Sequence, residues 1–119
     1  MDILIVEDEA ILALTYMQCL QELGIRDVEH AFCADEALRA VERSRPKLIL
    51  LDIKLGDGRD GIEVAKIVRR RYDVPIVFIS AFVDMKTLNR AWSVHPAYIL
   101  KKDGQYNVLK AVVTELLEL

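Results

Sequence analysis

The chain has 119 residues, 53% of them hydrophobic and 29% charged, with a formal charge of -3 and only three prolines. That is the length of one ordinary domain, apolar enough to bury a core and too apolar for disorder. The acidic balance argues against nucleic acid as a direct partner, no apolar run is long enough to cross a bilayer, and the N-terminus shows neither a basic segment nor a small-residue cleavage site, so a cytoplasmic domain without membrane or nucleic-acid binding is expected.

In chain order, "DILIV" (2–6) predicts a strand and residues 10–23 a helix closed by Gly24. "DVEHAF" (27–32) is a weaker strand, followed by a helix over 34–43 that Pro46 cannot continue. "LILLD" (48–52) is a continuous apolar strand, and "KLGDGRDG" (54–61) a glycine-rich turn leading to a helix over 62–72. "PIVFIS" (75–80) is a strand, 84–94 a shorter helix, "AYILK" (97–101) a strand, and 106–119 the final helix. Strand and helix alternate five times, which predicts a single α/β domain over 1–119, doubly wound, with five parallel strands and five helices. The strands at 2–6, 48–52 and 76–80 are apolar throughout, as central strands buried on both sides must be. Cys19 and Cys33 match no metal or redox spacing and read as reduced packing residues. The run Arg69-Arg70-Arg71 ends a predicted helix, where cations favour the dipole, and reads as a solvated helix end.

Ligands of an open parallel sheet bind beyond the carboxyl ends of its strands. There the first strand delivers Glu7 and Asp8, the third Asp52, the fourth Ser80 and the fifth Lys101. Each position alone reads as a solvated strand end, a turn residue or a local cap; five polar groups at the ends of four strands pointing one way do not. Three carboxylates need a counter-charge, and hard oxygen donors suit Mg2+. Mg2+ with the Lys101 ammonium would balance Glu7, Asp8 and Asp52, leaving a neutral site for a phosphoryl group held also by the Ser80 hydroxyl, with Asp52 as nucleophile.

These residues resemble the receiver domain of two-component response regulators over the whole chain. The matching features are the pair Glu7-Asp8, "LLDIKLGDGRDGIEVA" around Asp52, "ISA" with Ser80, and "YILK" with Lys101. The resemblance implies a flavodoxin-like sheet of order 2-1-3-4-5, phosphoryl transfer to Asp52 from a histidine kinase or histidine phosphotransfer protein, and an output face made by the fourth helix, fifth strand and fifth helix. It implies further that Asp8, Asp52 and the Lys54 carbonyl bind Mg2+ with Glu7 acting through water. Ser80 would be the hydroxyl switch and Tyr98, three residues before Lys101, the aromatic one. Where the family has proline after its lysine, Lys102 follows Lys101, which predicts a trans bond there. The Lys54 side chain, two residues past Asp52, is expected to approach the phosphoryl group, and His95 and Pro96 to stiffen the turn before the fifth strand.

On the first helix, Leu12, Tyr16, Cys19, Leu20 and Leu23 share a predicted core face, leaving Leu14 and Met17 outside to suit a docking phosphodonor helix. Other readings stay open: a Mg2+-dependent phosphatase with an aspartyl nucleophile, disfavoured by Lys54 where a second acid is needed; a flavin domain, disfavoured by acids where a phosphate loop is needed; and a receiver-like interaction module that is never phosphorylated. A receiver would catalyse only its own modification, and the sequence alone names neither its donor nor its output partner.

Overall fold

Five short runs of mostly apolar residues become strands, β1 (Ile3–Val6), β2 (Val28–Ala31), β3 (Leu48–Asp52), β4 (Ile76–Ser80) and β5 (Tyr98–Lys101). The helices between and after them are α1 (Ala10–Glu22), α2 (Ala34–Ser44), α3 (Gly61–Arg69), α4 (Met85–Trp92) and α5 (Tyr106–Leu116). The computed structural model describes residues 2–56, 58–81, 84–104 and 106–119, so Asp57 of the expected glycine-rich turn lies outside the described residues. All pairings are parallel and the strand order is β2-β1-β3-β4-β5. β1, β3 and β4 are buried at every position, whereas the edge strands β2 and β5 are only partly covered. No helix among the described residues is long and apolar enough to cross a membrane.

Alternation along the strands divides the core in two. Leu4, Val6, Ile49, Leu51, Ile76 and Phe78 face α2, α3 and α4, where Val41, Ile62, Val68 and Ala91 meet them. Ile3, Ile5, Leu48, Leu50, Val77 and Ile79 face the other way, against Tyr16 and Leu20 of α1 and Leu109, Val112 and Val113 of α5. The chain therefore leaves β1 toward one face and β3 toward the other. Those two strands are neighbours, so the crevice where their connections part opens beyond Val6 and Asp52.

Helix ends follow local chemistry. Asp60 caps α3 in a reciprocal box with Glu63, accepting from its N–H at 2.9 Å, and Asp84 caps α4 by accepting from Thr87 N–H at 2.7 Å. α3 stops at Arg69 rather than 72, where the N–H groups of Arg70 and Arg71 turn back to the carbonyls of Ile67 and Val68, three residues away, and tighten the last turn. α5 stops at Leu116 rather than 119, where Glu118 turns to φ 55°. Arg69 is not a solvated helix end. Its guanidinium is half-buried and donates to the carbonyls of Val74, Val94 and His95, the last two at 3.1 and 3.2 Å, pinning the turns before β4 and β5 together. His95 adopts φ 53° in that turn. Both cysteines are free, and no peptide bond among the described residues is cis.

Candidate functional site

Glu7, Asp8 and Asp52 meet in the crevice between β1 and β3, each offering a carboxylate oxygen within 4.8 Å of the others. Glu7 and Asp52 are buried, while Asp8 stays exposed. A cleft lined by Asp8, Glu9, Asp52, Lys54, Ser80, Ala81 and Lys102 opens over them. Ser80 is buried at the end of β4. Lys54 is exposed, with its backbone N–H 3.3 Å from Asp52 Oδ1.

The ammonium group expected from Lys101 comes instead from Lys102. Its Nζ lies 2.8 Å from Asp52 Oδ2 and 2.8 Å from Glu7 Oε1, and its side chain is 13% exposed. The pleat explains the difference. Glu7 continues the series Ile3, Ile5, and Asp52 the series Leu48, Leu50, both on the α1–α5 side of the sheet. On β5 that side belongs to Tyr98 and Leu100, and the next position in the series is Lys102, whose N–H donates to the Ser80 carbonyl at 2.8 Å. Lys101 is exposed and stands opposite Ser80 in the β4–β5 register, in the other series. The bond after Lys101 is trans, as expected.

The same offset displaces the aromatic position. Tyr98 packs on the α1–α5 side, and its hydroxyl donates to Glu115 Oε2 at 2.5 Å, so it does not share a sheet face with Ser80. Ile99, three residues before Lys102 and opposite Phe78 in the register, packs against the core cluster on the face that Ser80 shares by alternation. On α1, Met17 packs against the core; the exposed large apolar residues are Ile11 (79%) and Leu14 (64%).

Burial pushes the Glu7 carboxyl up to about 7, reinforced by the charge of Asp52 and opposed by Lys102. Burial disfavours the Lys102 ammonium too, but its hydrogen bonds to Asp52 and Glu7 outweigh that and hold its pKa above the ordinary lysine value. Two contacts that sequence reasoning missed shape the site. His30 Nε2 lies 2.7 Å from the Glu7 carbonyl, tying the edge strand to the acidic pair. Gly61 presses on the backbone of Asp52: its N–H donates to Ile53 O at 2.7 Å, and a Cβ there would lie 2.0 Å from the Asp52 carbonyl oxygen.

The Lys102 ammonium by itself cannot balance three acids, and hard oxygen donors at this spacing fit a divalent cation. With Asp52 and Glu7 already paired to Lys102, the arrangement can hold a metal and an anion side by side.

Comparisons with known proteins agree with this geometry. The family model described as response regulator receiver domain matches residues 3–114. The phyllosphere-induced regulator PhyR of Methylorubrum extorquens is 33% identical over 98% of this chain, which covers 43% of that protein. The transcriptional regulatory protein PdtaR of Mycobacterium tuberculosis is 31% identical over 92% of this chain, which covers 54% of it. The chain thus spans about half the length of these curated relatives. The solved N-terminal domain of a response regulator/sensory box/GGDEF three-domain protein from Carboxydothermus hydrogenoformans superposes with a TM-score of 0.88 at 32% identity, covering 99% of this chain and 94% of that one.

Proposed function

Because this chain belongs to the response regulator receiver domain family, we propose that Asp52 is its phosphoacceptor and that the domain works as a phosphorylation switch. The donor is phosphohistidine on a histidine kinase or histidine phosphotransfer protein. An Asp52 carboxylate oxygen attacks the phosphorus, the O–P bond forms as the P–N bond breaks, and the imidazole nitrogen leaves and is protonated. Lys102, already 2.8 Å from Asp52, stabilises charge on the phosphoryl oxygens, and the Ser80 hydroxyl donates to one of them. Asp8, Asp52 and the Lys54 carbonyl would hold Mg2+, with Glu7 behind them; when bound, the ion offsets charge on the carboxylates and the phosphoryl group. Drawing Ser80 to the phosphoryl group carries the change into the face made by α4, β5 and α5, which a partner reads. The chemistry is limited to the domain's own phosphorylation and dephosphorylation.

The observation that carries this reading is the pairing of Asp52 with Lys102 beside two further acids, in the crevice where an open parallel sheet binds ligands. Incubation with Mg2+ and acetyl phosphate should add the mass of one phosphoryl group to the native protein and nothing to Asp52→Asn. Equal modification of both would refute Asp52, and modification of neither would refute the switch.

A further inference from the structure

α4 is lightly held. Ala91 is its one fully buried residue among those described, and Trp92 is 51% exposed. One of its side chains nevertheless crosses to the neighbouring helix. Arg90 Nη2 lies 3.1 Å from Asp60 Oδ2, with the two side chains 39% and 28% exposed. Asp60 is no free surface acid: it caps α3, accepting from Glu63 N–H through its other oxygen. Gly61, next to it, lies directly against the Asp52 backbone, where even a methyl group would collide with the Asp52 carbonyl, and its N–H is bonded to Ile53 O at 2.7 Å.

We infer that Arg90 is a positioning residue that latches α4 to the segment carrying Asp52, and that the latch holds the switch in its unphosphorylated arrangement. The latch rests on the reading that Ser80 closes on a phosphoryl group at Asp52. Asp60 is tied to the strand end that carries Asp52 through Gly61, whereas Arg90 stands on α4, the next element in the chain after β4 and Ser80. When Ser80 draws toward Asp52, these two bodies shift relative to one another, and the ion pair spans them. Its formation here opposes that shift. A pair this exposed contributes modestly, so it tunes the switching equilibrium rather than forbidding it.

Trp92, the only tryptophan, sits two residues from Arg90 and reports on α4. Native protein, Arg90→Ala, Arg90→Lys and Asp60→Asn should be titrated with beryllofluoride at saturating Mg2+, reading the midpoint of the Trp92 fluorescence change. The asparagine keeps an oxygen for the α3 cap but loses the charge. Arg90→Ala and Asp60→Asn should each lower the midpoint about threefold, the double variant no further than either alone, and Arg90→Lys should return most of the native value. In metal-free protein, Arg90→Ala should also speed amide hydrogen exchange in α4 and leave α5 unchanged. Unchanged midpoints, or effects of the two substitutions that simply add, would overturn the latch while leaving the phosphoacceptor reading intact. No saturable response from the native protein would overturn both.

Discussion

Lys101 and Lys102 are identical in chemistry and one peptide apart, and the pleat alone decides which of them meets Asp52. Replacing Lys102 by alanine removes the cation that touches both buried acids, and phosphorylation by a small phosphodonor should fall on the order of 100-fold. Lys101→Ala should stay within about twofold of native, and the reverse ranking, read by the same mass assay, would contradict the geometry. Glu7 leads to a different expectation. Its folded pKa, about 7, stands above the ordinary glutamate value of 4.5, so between those values the folded state binds the proton that the unfolded state has released. Stability contributed by the neutral form is therefore lost as pH rises through 7. Metal-free protein should lose about 1 kcal/mol between pH 6 and 8 from this group, with Glu7→Gln abolishing that component in urea unfolding. A steeper loss in the glutamine variant would show that another group is responsible.

At the scale of elements, strand and helix positions were legible, though not the ends of α3 and α5, because apolar runs, glycine and proline mark them. The identity of the lysine was not, and the reason is physical. β1, β3 and β4 are apolar on both faces, so their sequences show no alternation from which to count a side-chain direction; only counting back from Glu7 and Asp52 to the two core clusters reveals it. Tyr98 was misplaced by the same single step. Arg69 shows a second blind spot, since a cation at a helix end looks solvated in sequence whether or not carbonyls of distant turns surround it. Burial holds its pKa below the ordinary arginine range, and its guanidinium serves three carbonyls at once. Arg69→Ala should cost about 2 kcal/mol of unfolding free energy without changing the midpoint of metal binding. A loss under a few tenths would mean that water replaces the guanidinium.

Over the whole molecule, one topological fact assembles the site: adjacent strands β1 and β3 send their connections to opposite faces. Alternating strands and helices were enough to anticipate that crevice and the acids within it. Contacts between segments remote in sequence, such as Gly61 on the Asp52 backbone or Arg90 on the α3 cap, leave no periodic trace and appear only when the helices are packed. The two-residue offset between Leu100 and Lys102 has an outcome that spelling alone would hide. Excising Lys101 leaves a chain that still reads tyrosine, isoleucine, leucine, lysine, just as before, yet the surviving amine lands on the outer side of the ribbon; swapping that residue for another keeps the frame and the chemistry with it.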